Sequence, residues 1–236
     1  MSGSELPLRP SPSLRCTGRR ERQLRQAGFE LIAGADEAGR GALFGGVFAA
    51  AVILSDDRPV RGVRDSKQLT PERREELAAH IRARAVSYAV AMVDARVIDR
   101  INIYQASRLA MKRALEQLQP PADYLLLDAV PVDLAVPQRA LIRGDATCQS
   151  IAAASILAKV TRDLAMREWD VVYPQYGLAR HKGYPTAEHI RALERYGPTI
   201  EHRFSYQPVQ AATPRWLWWL CEQRRNGPRQ SYRLWD

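Results

Sequence analysis

At 236 residues, with 46% hydrophobic and 26% charged side chains, the chain has the composition of a globular protein long enough to bury a substantial core. No apolar run approaches the roughly 20 residues of a spanning helix, so no membrane partner is expected. The arginines near the N-terminus precede no apolar stretch, so no secretory signal is expected. Cys16, Cys148 and Cys221 are odd in number and far apart, giving neither a metal-ligand spacing nor a disulfide framework, so a reducing cytoplasm is the expected location. The net charge of +9 invites a nucleic-acid reading. Its placement weakens that reading: residues 1–30 hold six Arg against three Glu, and residues 211–236 hold five Arg against two acids. Each end therefore carries +3, and the body in between only +3.

Residues 1–28 read as a basic arm, rich in Ser, Pro, Gly and Arg up to residue 20 and with helical character beginning at Arg19. Leu31 and Ile32 lead a first strand into Asp36-Glu37. A turn with glycine on both sides of Arg40 follows. Val47 to Leu54 is a continuous apolar run, as expected of a strand buried on both faces, and Asp56, Asp57 and Pro59 end it. After the polar segment Arg64-Asp65-Ser66-Lys67-Gln68-Leu69, Thr70-Pro71-Glu72 opens a helix with a capping hydroxyl, a proline in the first turn and an acid behind it. Leu77 and Ile81 mark its inner face. Ser87 to Val93 reads as a third strand. A short helical piece with Ile98 and Asp99 precedes Asn102, and a helix then runs to about Gln119 with Met111, Leu115 and Leu118 on one stripe.

Pro120-Pro121 stops that helix. Tyr124 to Asp128 is a fourth strand and Ala140 to Arg143 a fifth. A long helix from Gln149 to Val172 puts Ala153, Leu157, Val160 and Leu164 on a core stripe, and Ser155, Lys159 and Arg162 on another face. Gly177 to Thr186 is a Gly-rich basic loop. Thr186 caps a helix through Leu193, and Gly197-Pro198 ends it. Trp216, Trp218 and Trp219 read as packing residues of a terminal helix, and residues 223–236 as a polar, Arg-rich tail. His80, His189 and His202 read as ordinary surface or helix histidines, and His181 as structural. Strands followed by helices alternating with strands indicate an α/β fold, a mixed sheet with helices on its faces.

Three strand ends carry acids: Asp36-Glu37, Asp128 and, just past the fifth strand, Asp145. In an α/β sheet such ends converge on one rim. Four carboxylates gathered there repel one another unless cations intervene, and an oxygen-only ligand set favours Mg²⁺ or Mn²⁺ over Zn²⁺. Two such ions are suited to phosphodiester hydrolysis. A solvated turn and strand-end caps are the plain alternatives for each acid alone.

Four blocks of the sequence resemble the signatures of ribonuclease HII. They are Asp36-Glu37-Ala38-Gly39-Arg40-Gly41, Asp65-Ser66-Lys67-Gln68-Leu69, the run from Ile151 to Asp163, and His181-Lys182-Gly183-Tyr184-Pro185-Thr186. They stand in that family's order and spacing over residues 28–210. The resemblance implies a ribonuclease H-like fold, a mixed five-stranded sheet flanked by helices over residues 29–175, with a small helical substrate-binding part over 176–222. It implies a monomeric endonuclease that cuts RNA in RNA–DNA hybrids and nicks 5′ of ribonucleotides embedded in duplex DNA, with Mg²⁺ or Mn²⁺. Asp36, Glu37, Asp128 and Asp145 would be its catalytic and metal-binding set. Gly39, Arg40 and Gly41 would grip the 2′-hydroxyl and adjacent phosphate, Tyr184 would stack on the sugar at an RNA-to-DNA junction, and Lys67 and Lys182 would hold phosphates.

Two features depart from the family pattern. Ala129 follows the third acid where Gly is usual, and the segment His202-Arg203-Phe204-Ser205-Tyr206 is less basic than its counterpart. A resolvase-type nuclease of the same superfold is a rival, disfavoured by the Gly-Arg-Gly turn and Tyr184. A non-catalytic nucleic-acid module would have no use for four acids that repel DNA. The opening motif lacks the Gly-Lys-Ser/Thr ending of a Walker loop.

Overall fold

The structure, a computed structural model, describes residues 16–64, 66–217, 219 and 222–223. Asp65, Trp218, Cys221 and nearly all of both terminal segments lie outside the described residues. Five strands form one sheet in the order β3-β2-β1-β4-β5. They are β1 (Ile32–Ala38), β2 (Val47–Ile53), β3 (Ser87–Val93), β4 (Tyr124–Asp128) and β5 (Gln138–Leu141). β1 pairs antiparallel with β2 and parallel with β4. The mixed sheet expected from the strand pattern is therefore present, with β1 at its centre.

The chain forms two compact units. The first takes in the described residues up to Arg40, Val47–Val93 and Ser107–Ala165. It holds the sheet, α1 (Arg19–Gln26), α2 (Pro71–Arg84) and most of α4 (Gln149–Val172). The core on one side of the sheet joins Ala50 and Val52 of β2, Leu77, Ala78 and Ile81 of α2, and Ala152 to Ala154, Ile156 and Leu157 of α4. Alanines let α4 approach the sheet closely. Closest is Gly34, where a Cβ would stand 2.1 Å from the Ser150 carbonyl carbon, so only glycine fits. Thr70 caps α2 as expected, accepting from the Arg73 N–H at 3.3 Å.

The second unit comprises Gly41–Gly46, Asp94–Ala106 and the described residues from Met166 on. It contains the first part of α3 (Ala95–Glu116), which kinks at Asn102 (φ 65°) where the sequence broke its two helical pieces. It also holds α5 (Leu178–His181), α6 (Ala187–Tyr196) and α7 (Gln207–Ala211). Thr186 caps α6 through the His189 N–H at 3.3 Å.

Several expectations are corrected. β5 lies two residues earlier than its sequence placement, because Arg143 takes φ 55° and cannot extend a strand. Leu164 is exposed rather than core; Arg162, Asp163 and Met166 occupy the buried positions around it. Part of the Gly-rich loop is the helical turn α5, anchored by the fully buried Leu178. Trp216 and Trp219 are 73% and 54% exposed, so they do not pack as expected.

Candidate active site

Register brings the acids of two distant segments together. Ala35 of β1 stands beside Leu127 of the parallel β4. One residue further along both strands are Asp36 and Asp128, on neighbouring strands spaced about 4.8 Å apart. Past β5, the N–H of Gly144 donates to Asp128 Oδ1 at 2.7 Å, and the N–H of Asp145 also serves that carboxylate. Asp145 itself is buried in the turn Gly144–Ala146. Ala129 adopts the left-handed φ of 56°, so its methyl group does not keep the chain from turning there after Asp128.

The site is electrostatically loaded. Burial pushes Asp36 well above the usual carboxylate range, and the charges of Glu37 and Asp128 push it further. Burial also raises Glu37, against the relief from Arg40, and Asp128 adds to the rise. Asp128 is raised by burial too, offset by the Gly144 N–H and by the Lys67 charge. Glu37 Oε2 is buried with no hydrogen-bond partner among the described residues. A buried carboxylate oxygen left in that condition is costly unless a cation or a bound group takes it. Among the described residues no three His, Cys, Asp or Glu side chains stand together in an arrangement that could by itself hold a metal ion. The donor set is oxygen-only and incomplete, which suits a hard cation that keeps water and substrate oxygens among its ligands.

The surrounding side chains hold this set in place. Ser155 of α4 hydrogen-bonds Asp36, and its Oγ lies 2.9 Å from Ser66 Oγ in the polar loop before α2. Lys67, next in that loop, is exposed and lies near enough to Asp128 to affect its titration. Arg40 is bound to Glu37 Oε1 at 3.1 Å. Lys159 and Asp163 pair at 2.7 Å on α4. Gly39, at φ 94°, rests on Arg162, which is fully buried rather than on a solvated helix face. Glu21 of α1 accepts from the Ser150 N–H (2.9 Å) and Oγ (2.8 Å), fixing the start of α4. Cys16 and Cys148 are free thiols, both raised by burial, Cys148 to about 12, which leaves them inert.

Within the second unit, the Leu43 N–H donates to the Gly183 carbonyl at 2.8 Å, and a Cβ on Gly41 would lie 4.0 Å from the Tyr184 ring. Gly41 and Tyr184 are thus neighbours. Lys182 donates to its own Ala179 carbonyl, and Tyr184 is half-buried. His189 and His202 are fully buried and 3.2 Å apart, not ordinary surface histidines. Arg203, to which the sequence assigned nothing, is fully buried and donates to Gly45 O at 2.8 Å and Gly46 O at 3.0 Å, bracing the segment after Gly41. Ser66 and Arg203 carried no role in the sequence beyond motif membership, and Ser155 only a place on a second face of the long helix; all three prove to be supporting residues.

A sequence model of the family described as ribonuclease HII matches residues 33–209. The ribonuclease HII of Solibacter usitatus is 63% identical over 207 residues, covering 86% of this chain and 91% of that protein. That of Geobacillus kaustophilus is 56% identical over 192 residues, covering 81% and 74%. The ribonuclease H2 of Pyrococcus horikoshii has the same fold, with a TM-score of 0.66 at 26% identity over 78% of this chain and 97% of that one. An RNase HIII solved in complex with Mn²⁺ shares the fold at a TM-score of 0.61 and 19% identity, over 80% of this chain and 70% of that one. With strand-end acids gathered on a mixed sheet and a match spanning most of its length, the chain belongs to the ribonuclease HII family and is an endoribonuclease of the ribonuclease H type.

Proposed function

We propose that this enzyme cuts RNA in RNA–DNA hybrids and nicks duplex DNA on the 5′ side of an embedded ribonucleotide, leaving 3′-hydroxyl and 5′-phosphate ends. The observation that carries the reading is the mutually repelling trio of buried Asp36 and half-buried Glu37 and Asp128, with Glu37 Oε2 unpartnered among the described residues. Asp36, Glu37, Asp128 and Asp145 would hold two divalent cations, Mg²⁺ or Mn²⁺; the Mn²⁺ complex of a protein sharing the fold supports that choice. When bound, such ions polarise the scissile phosphate, activate a water and steady the leaving oxygen.

The chain's own groups do the rest. Ser155 and the N–H groups of Gly144 and Asp145 fix the orientation of Asp36 and Asp128, so the anionic set need not reorganise when substrate arrives. Gly39, Arg40 and Gly41 grip the ribose 2′-hydroxyl, the one group that separates RNA from DNA, and the phosphate beside it. Arg40 is already anchored on Glu37, which fixes where its guanidinium stands. Lys67, and Lys182 once released from Ala179, neutralise flanking phosphates. Tyr184 stacks on the sugar after the ribonucleotide.

The test offers three duplexes, each with Mg²⁺, Mn²⁺ or EDTA: a continuous hybrid, DNA with one ribonucleotide, and all-DNA. Cation-dependent cutting of the first two, 5′ of the ribonucleotide in the second, is expected. Equal cutting of the all-DNA duplex would overturn the substrate assignment.

A further inference from the structure

The buried histidines of the second unit form a chain whose proton positions are fixed by their partners. The Thr199 N–H donates to His202 Nδ1 at 2.9 Å, so that nitrogen carries no proton. Neutral His202 then carries its proton on Nε2, which faces His189 Nε2 at 3.2 Å and donates to it. His189 in turn carries its proton on Nδ1, which donates to the Tyr184 carbonyl at 3.1 Å. Alongside, the Gly183 N–H donates to His181 Nδ1 at 3.2 Å, so His181 Nε2–H donates to the Tyr176 carbonyl at 2.7 Å. The His181 and His189 rings stack with centroids 4.6 Å apart.

These bonds meet on a short piece of strained backbone. Lys182 (φ 53°) and Gly183 (φ 74°) are consecutive left-handed residues immediately before Tyr184. Such a pair is held in one conformation only when its surroundings dictate it. The ring of Tyr184 lies beside Gly41, whose neighbouring segment is tied to Gly183 through Leu43. We infer that His202 and His189 are positioning residues that set Tyr184, and through it the preference for a ribonucleotide junction over a continuous hybrid. This rests on the reading of Tyr184 as the junction contact.

The chain makes an asymmetric demand on His189: a donor at the Nδ1 position, toward Tyr184, and an acceptor at the Nε2 position, toward His202. Asparagine reproduces the first and loses the second; glutamine does the reverse; leucine loses both. A residue that merely fills space would rank the three by fit, and one that sets Tyr184 puts asparagine first.

The experiment measures the ratio of cleavage at a single embedded ribonucleotide to cleavage of a continuous hybrid. The enzymes compared are wild type, Tyr184→Ala, His189→Asn, His189→Gln and His189→Leu. We expect Tyr184→Ala, His189→Leu and His189→Gln each to lower the ratio about tenfold, and His189→Asn to hold it within about threefold of wild type. A lowered ratio in Tyr184→Ala with wild-type ratios in His189→Leu and His189→Gln would overturn the relay and leave the junction contact standing. A wild-type ratio in Tyr184→Ala would overturn both. Imidazole ¹⁵N NMR of the wild-type enzyme at neutral pH tests the proton positions without any variant: Nδ1–H on His189 and Nε2–H on His202 are expected, and the opposite tautomers would overturn the chain.

Discussion

A Cβ on Gly39 would stand 2.0 Å from Nε of Arg162, a guanidinium with no exposed surface. The glycine turn after the two leading acids is therefore moulded on a side chain from the middle of α4. At φ 94°, any substitution there is strained as well as crowded. Gly39→Ala is expected to cost about 2 kcal/mol of stability and about 100-fold in single-turnover cleavage. Shortening the arginine in the double variant Gly39→Ala/Arg162→Leu makes the stability losses less than additive. Urea unfolding of the two single variants and the double checks this; strict additivity contradicts it.

Ala129 carries a left-handed conformation, φ 56°, that glycine adopts at no steric cost. It is exposed, so no packing is lost by removing its methyl group. Ala129→Gly should stabilise the protein by about 1 kcal/mol and leave cleavage at or above the wild-type rate. A lower denaturation midpoint would contradict the strain argument.

The acids oppose folding when no cation is bound. Asp36 is raised first by burial and then by Glu37 and Asp128, so its ionised form destabilises the native state. Asp36→Asn is expected to melt higher than wild type in EDTA, by about 1 kcal/mol or more, while cleavage falls about 1000-fold. Mn²⁺ should raise the melting temperature of the wild type far more than that of the variant. A variant that melts lower than wild type in EDTA would contradict the repulsion.

His189 gives a pH signature of the opposite sign. Burial pushes it down to about 4 from the ordinary 6.5, so the native state binds fewer protons than the unfolded chain between those values. Its contribution to stability is whole above pH 6.5 and is lost as pH falls toward 4, by about 3 kcal/mol in all. His181, His202, Tyr176 and the Glu188 carboxylate face it. His189→Gln should flatten the unfolding free energy across that window, which chemical denaturation at a series of pH values reads directly.

Strands and motifs were legible because their signals are local. The uninterrupted apolar run of β2, the Thr70 and Thr186 caps and the proline stops each act within a few residues. Asp36, Glu37 and Asp128 stood out because they lie at the ends of the apolar strands β1 and β4. What stayed hidden depends on partners far away in the chain. Arg162 looks like any polar helix position until Gly39 is laid over it, and His202 looks ordinary until His189, thirteen residues earlier, meets its ring. Glu21 could not be read from an arm of unremarkable composition, since its partner Ser150 lies 129 residues on. The exposed Trp216 and Trp219 went wrong for the converse reason: tryptophan usually packs, and here it does not.

The central claim is that Asp36, Glu37, Asp128 and Asp145 serve as one seat for divalent cations. Titrating Mn²⁺ and following the free ion by electron paramagnetic resonance tests it without any substrate. Asp36→Asn, Glu37→Gln, Asp128→Asn and Asp145→Asn should each weaken binding about tenfold or more, while Asp133→Asn, an exposed acid paired with Lys112, should leave it unchanged. Mn²⁺ binding of wild-type strength in Asp36→Asn and Asp128→Asn would contradict the account.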